Sequence, residues 1–152
     1  MIFSKSFGYA VRGVLYIALM QDEKRYVQVE EIASTLSVPR HFMGKIMKRL
    51  VKAEVISSAK GPFGGFTINA NTLEVKLIRF FELTNGLGEF HQCVLSVKEC
   101  NAASPCPLHF QMKELRSKLE DVLSDTTLAD MLSENKTELI RSITTVPTTD
   151  EL

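Results

Sequence analysis

At 152 residues the chain is long enough for one domain, or for a small domain with an appended helical part. Its hydrophobic content of 45% is ordinary for a globular protein, and its longest apolar runs fall far short of a membrane span, so no membrane partner is expected. The net charge of zero hides an uneven distribution: residues 1–70 carry ten Lys and Arg against five Asp and Glu, and residues 71–152 carry eight against thirteen. A basic first half points to a polyanion as partner. The apolar N-terminus carries Lys5 and Arg12 at helical spacing, and no small-residue cleavage site follows it. A cytoplasmic location is therefore expected. An odd count of three cysteines argues against a closed disulfide framework and, in a reducing compartment, points to metal binding or redox chemistry.

Residues 6–20 predict a helix, with Phe7, Ala10, Val11, Val14, Leu15, Ala18 and Leu19 recurring every three or four positions. A second, short helix spans 28–36, with Glu30 and Glu31 in its first turn, where the helix dipole favours acids. The run Leu36-Ser37-Val38-Pro39 breaks it, since proline suits the first turn of a new helix and disfavours helix before itself. The third helix, about 39–52, has a divided surface. Val38, Phe42, Ile46 and Leu50 form an apolar stripe; His41, Lys45, Lys48 and Lys52 form a basic one, with Arg40 and Arg49 at its edges. Two short helices with a tight break, the second presenting bases, fit a helix-turn-helix.

The β-prone run 54–60 and the run Phe66-Thr67-Ile68-Asn69 flank Gly61-Pro62-Phe63-Gly64-Gly65, which predicts a hairpin. A hairpin directly after a helix-turn-helix is a wing. Lys60 stands at its base, and Gly61, Gly64 and Gly65 let the backbone approach DNA closely. A further helix covers 74–84. Cys93 to His109, CVLSVKECNAASPCPLH, then collects all three cysteines, one of three histidines and two of five prolines. This composition suits a ligand-bearing loop better than a helix or strand. Residues 108–124 give the clearest helix, with a seam of Leu108, Met112, Leu115, Leu119 and Val122 suited to packing against a twin. The expected division is a winged helix-turn-helix domain at 1–84, a cysteine-bearing loop at 85–107, a dimerisation helix with a C-terminal helical segment at 108–146, and a frayed tail at 147–152.

The order of helix-turn-helix, the wing Lys60-Gly61-Pro62-Phe63-Gly64-Gly65-Phe66, the cysteines Cys93, Cys100 and Cys106, the long helix and Thr127-Leu128-Ala129-Asp130 resembles the iron–sulfur cluster regulators, the IscR-like and NsrR-like family of bacterial winged-helix transcription factors. The resemblance runs from about Phe3 to Leu132. It implies a mainly α fold with a small β-hairpin wing and a long C-terminal dimerisation helix. It also implies a homodimer on a double-stranded DNA operator, acting as a repressor. Cys93, Cys100 and Cys106 would ligate an iron–sulfur cluster, most simply 2Fe–2S, with His109 as fourth ligand. The position of the acid ligand found in the nitric-oxide-sensing branch matches Gly8, which cannot ligate. Lys5, Tyr9, Arg40, His41, Lys45, Lys48, Lys60, Gly61, Gly64 and Gly65 are the candidate DNA contacts. Gly44 replaces a glutamate that tunes base selection in the biogenesis branch, and six residues separate Cys93 from Cys100, one more than that branch has, so its operator does not carry over.

Three cysteines and a histidine also satisfy tetrahedral zinc. The loose cysteine spacing lacks the tight pair usual for zinc, and the resemblance favours the cluster. A thiol switch without metal and a winged-helix protein-interaction module are two further readings of the same residues. No nucleophile with a nearby base, no phosphate loop and no paired carboxylates in a motif are present, and the wing glycines do not lead into a helix, so no enzyme is indicated.

Overall fold

The computed structural model describes residues 3–95, 102–132 and 135–144. Along these run α1 (Lys5–Leu19), α2 (Val29–Thr35), α3 (Arg40–Lys52), β1 (Ser57–Ala59), β2 (Gly65–Thr67), α4 (Leu77–Thr84), α5 (His109–Asp125), α6 (Leu128–Leu132) and α7 (Lys136–Thr144), with 3-10 turns at Thr72–Glu74 and Leu87–His91. The tail at 147–152 lies outside the described residues.

α1 is the axis. Ser4 caps it, its hydroxyl accepting from the Phe7 N–H at 3.2 Å and donating to Asn85 Oδ1 at 2.7 Å. Ala10, Val11, Val14, Leu15, Ile17 and Leu19 are buried around most of its circumference, the pattern of a helix enclosed by others. α2, α3, α4, α6 and α7 all touch it. At Gly13 an added Cβ would come within 2.8 Å of Met47 Cε, which shows how closely α3 lies on α1. Burying Ile32, Leu36, Met43, Met47 and Leu50 in this core contributes about 1.5–3 kcal/mol for each large side chain.

The buried face of α3 differs from the stripe expected from sequence. Phe42 is 50% exposed, whereas Met43, Ile46, Met47 and Leu50 are buried. A strict four-residue step overshoots the turn of about 3.6 residues, so such a series spirals off the face it starts on. The 3-1-3 spacing of the observed set stays on it.

α2 and α3 end alike. Ser37 (φ 55°) and Glu54 (φ 60°) adopt the left-handed conformation just past their helices. Val38 N–H reaches back to Ala33 O at 2.9 Å and Ser37 N–H to Ser34 O; Val55 N–H reaches Leu50 O at 3.0 Å and Glu54 N–H reaches Val51 O. Each is a Schellman closure, satisfying carbonyls that the helix leaves open. The second one occupies residues 54–55 and shortens the expected strand to Ser57–Ala59.

β1 and β2 pair antiparallel with Ser58 opposite Phe66, and Val27 bridges to Phe66 outside them. The helix expected over 74–84 begins only at Leu77. Val75 and Lys76 are extended, because Val75 O accepts from Leu128 N–H at 3.1 Å and Leu77 N–H donates to Thr126 O at 2.9 Å. That bridge brings α6 into the winged-helix core, where Leu128, Leu139 and Ile143 are buried. Arg12 secures the return: its Nε donates to Ile143 O at 2.6 Å and its Nη2 to Leu36 O at 2.9 Å.

A second, aromatic cluster lies beside this core. Phe81, Phe90 and Leu123 are buried in it, with Phe3, Phe7 and Leu119 around them. Phe81 stands 4.3 Å from Phe90 and 5.9 Å from both Phe3 and Phe7, between ring centroids; the two longer pairs meet edge to face, an arrangement favoured for aromatic rings.

Candidate nucleic-acid interface and metal centre

α3 turns Arg40, His41, Phe42, Lys45, Lys48, Arg49 and Lys52 outward. With its other face sunk in the core, it presents an exposed basic surface of the kind a recognition helix needs. Arg40 is held by Glu30, Nη2 to Oε1 at 2.6 Å, across the helix-turn-helix. Glu30 has its carboxyl drawn below the ordinary carboxylate range, first by its own backbone N–H and then by Arg40. An approaching phosphate would compete with Glu30 for this guanidinium. The His41 ring stacks near Phe42 at 4.2 Å. Arg49 donates from Nη1 to Leu83 O at 2.9 Å, fastening the end of α4 to α3.

The wing is a constrained hairpin. Gly64 N–H donates to Gly61 O at 3.1 Å, closing a turn with Pro62 and Phe63 at its centre. Gly61 has φ +100°, and at Gly64 a Cβ would meet Ala59 O at 2.1 Å, so both positions require glycine. Gln28 Nε2 donates to Pro62 O at 2.9 Å, tying the wing tip to the N-cap of α2. Arg40, Gly61, Gly64, Gly65 and Phe66 line one hollow of about 320 Å³, which places the wing against the first turn of α3. Lys60 is exposed at the wing base and Lys5 is exposed at the start of α1. Tyr9 is different: it is half-buried and packs against the core.

Further support comes from Glu31, which accepts from Tyr16 Oη at 2.8 Å and pairs with Lys24 at 2.8 Å. Burial pushes the Glu31 carboxyl up, but the Lys24 and Tyr16 hydrogen bonds prevail and hold it below the ordinary range. This link fixes the loop after α1 to α2.

The cysteine loop is described at its two ends. Cys93 is buried, three residues beyond Phe90 of the aromatic cluster; Cys106 is half-buried. His109 opens α5 and is 5% exposed, with its backbone N–H on Cys106 O at 3.0 Å. A cavity of about 370 Å³ borders it, lined by Phe90, His91, Lys113 and Arg116 among others. Arg116 also donates to Gln92 O across the loop mouth. Cys100 lies outside the described residues. Among the described residues no three His, Cys, Asp or Glu stand together as a metal site. Two thiols and a buried imidazole at the loop ends are nonetheless the donors that an iron–sulfur cluster or zinc takes.

α5 exposes its seam. Leu108, Leu115 and Val122 are 42%, 53% and 57% exposed, and Phe110 beside them is 67% exposed. Met112 and Leu119 are half-buried. The residues that α5 buries within its own chain are His109 and Leu123.

A family model described as an iron-dependent transcriptional regulator, Rrf2, matches residues 3–134. The chain belongs to the Rrf2 family. An HTH-type transcriptional regulator of Aquifex aeolicus is 36% identical over 135 residues, which are 88% of this chain and 92% of the relative. The NsrR regulator of Geobacillus kaustophilus is 26% identical, covering 83% of this chain and 86% of its own. Among solved structures, the cysteine regulator CymR of B. subtilis superposes with a TM-score of 0.68 at 20% identity, over 86% of this chain and 95% of its own. T. potens IscR gives 0.65 at 22% identity, over 86% and 85%. These two show the winged-helix fold, as expected from the sequence. As an Rrf2 protein the chain is a transcriptional regulator, not an enzyme, and its partner class is DNA. No helix among the described residues is long and apolar enough to cross a membrane. For this Rrf2 chain, sequence reasoning missed the Arg40–Glu30 pair and the Arg49 tie to α4; acids at positions 30 and 31 followed by a base ten residues on were the available signal for the first.

Proposed function

We propose that the chain is a homodimeric repressor whose hold on a DNA operator is set by an iron–sulfur cluster, 2Fe–2S, held by Cys93, Cys100, Cys106 and His109. Lys45 and Lys48, with Arg40, His41, Lys60 and Lys5, engage the duplex, and Gly61, Gly64 and Gly65 bring the wing backbone to it. Tyr9 acts from behind this surface, through its packing against the core. The seam Leu108, Met112, Leu115, Leu119 and Val122 joins the two copies through α5.

The observation that carries this reading is the contact path from loop to recognition helix. Cys93 follows Phe90 in the chain, Phe90 stacks on Phe81 of α4, and the end of α4 is tied to α3 by Arg49. Bound at the loop, the group supplies a centre responsive to iron–sulfur status, redox state or nitric oxide. The chain's own residues do the rest. His109 and Cys106 fix the start of α5, and Phe90 and Phe81 pass any shift of the loop to α4. Arg49 carries it to α3, and the two arrangements would differ in operator affinity.

The test is anaerobic purification followed by the visible spectrum and iron and sulfide analysis. Charge-transfer bands with matching iron and sulfide are expected, altered in His109→Ala. A colourless protein with stoichiometric zinc replaces the cluster by a zinc site, and one with no metal after reconstitution leaves a thiol switch. For DNA, Lys45→Ala with Lys48→Ala should lower the slope of log affinity against log salt by about two without altering the spectrum. An unchanged slope would move the interface off α3.

A further inference from the structure

Phe63 is 92% exposed, the most exposed large apolar side chain among the described residues. A single exposed aromatic needs no special cause by itself. Here, however, the backbone that carries it is fixed. The Gly61–Gly64 turn is closed at 3.1 Å, Pro62 restricts the residue before it, and Gln28 anchors the Pro62 carbonyl at 2.9 Å. The ring is thus held out into solvent on a braced tip instead of folding back on the winged-helix core. Lys60 is exposed at the base of the same hairpin, and the wing glycines share a hollow with Arg40 at the first turn of α3. A basic base and an apolar tip, braced beside a basic helix, match what proteins use to enter the minor groove: a cation follows the phosphates and an apolar wedge parts a base step.

We infer that Phe63 is such a wedge. Its ring enters the minor groove on the flank of the site that α3 reads and opens a base step there. The duplex kinks, and the chain gains a preference for a pyrimidine–purine step at that position, because those steps unstack most readily. Specificity would therefore extend to base pairs that α3 never touches. This rests on the reading of the chain as a DNA-binding winged helix, and the experiment separates the two.

The chain contains no tryptophan, so the Phe63→Trp variant carries a single indole fluorophore, at the wing tip. Duplexes are selected by the wild-type protein from a random-sequence pool. Binding is followed by anisotropy of labelled DNA, the bend by energy transfer between the duplex ends, and the tip by the indole emission of that variant. With wild-type protein the bend is expected within about 20–90°. Phe63→Ala should lose about tenfold in affinity along with most of the bend and the flanking-step preference. Phe63→Leu, still a wedge, should keep part of each; Phe63→Lys, which adds a phosphate contact instead, should keep affinity but not the bend. The indole emission of Phe63→Trp should be quenched on binding. If anisotropy reports binding while the indole emission, bend angle and flanking preference stay unchanged in the variants, the wedge is wrong and the DNA-binding reading stands. If the indole emission shifts with protein concentration without DNA, a second copy covers the wing tip and the wedge is likewise overturned. If the wild type selects no duplex, both readings fall.

Discussion

The head and the arm of this molecule are built to different standards of completeness. In the head, α1 is enclosed by five helices and its core residues, from Ala10 to Leu50, are almost fully buried. In the arm, seventeen residues of α5 bury only His109 and Leu123, leaving Leu115, Val122 and Phe110 more than half exposed. The head closes its core within one chain, leaving only such side chains as Phe42 and Phe63 outside it. The arm leaves a row of large apolar side chains in water, the kind of patch that marks an interaction surface.

The contrast is most severely challenged in the core. Phe80→Ala removes a fully buried ring from the head and should cost about 3–5 kcal/mol, read as a lowered urea midpoint; a loss below about 1 kcal/mol would mean that the head is not the stability centre. Next comes the arm. Leu115→Glu with Val122→Glu, both at exposed positions, should leave the thermal midpoint of the head nearly unchanged while halving the mass in sedimentation. DNA affinity should fall more than about tenfold, because paired half-sites lose their linkage. An unaltered mass would overturn the proposed joining of two copies through α5.

Glycines inside helices probe how evenly the head itself is packed. Gly44 is open: an added Cβ would lie 3.9 Å from Val29 Cγ2, an ordinary contact. Gly44→Ala should therefore gain about 1 kcal/mol from helix propensity and raise the thermal midpoint by several degrees. Gly13→Ala should gain less, since its Cβ meets Met47 Cε at 2.8 Å and that buried side chain must shift to admit it. Equal effects at the two sites would show that the α1–α3 contact is looser than described. The smallest effect belongs to the junction of arm and head. Asp130 accepts from the Thr127 N–H at 2.8 Å and from its hydroxyl at 2.9 Å, while Thr127 Oγ1 caps the Asp130 N–H in return. Those bonds, the backbone one first, draw the Asp130 carboxyl below its ordinary value. A depressed folded-state pKa gives stability that is present above the ordinary carboxylate range and is lost as pH falls through the folded value. Asp130→Asn should flatten that limb of the thermal midpoint against pH, and an identical acid limb in both proteins would exclude the cap as its source.

Most of the head can be read from sequence, because its signals are local. The period of α1, the Pro39 break, the bases of α3 and the glycines of the wing each sit inside one element. Phe42 marks the limit of that approach: spacing alone puts it on the stripe with Ile46 and Leu50, and passes over the methionines at 43 and 47 that complete the true face. Contacts between distant segments leave no such trace. Nothing near Arg12 announces Leu36 O and Ile143 O, and nothing near Val75 announces Leu128. The seam of α5 is legible as a pattern, but its exposure is not, since the sequence does not say whether Leu123 or Leu115 turns to Phe81. The cysteine loop is legible as chemistry through its residue types; its closure depends on Cys100, outside the described residues.

Arg12 also bears on the order in which the molecule can form. Its guanidinium holds the carbonyl at the end of α2 and, at the same time, a carbonyl 131 positions later in the chain. On the ribosome the helix-turn-helix is therefore made early and completed late. Until α7 has been synthesised and has folded back onto α1, Arg12 lacks one of its acceptors and α1 lacks one of the helices that enclose it. A nascent chain would leave the protein-making machinery with α3 formed but not yet locked, and the final docking of α7, slow because it closes so long a loop, would complete the head.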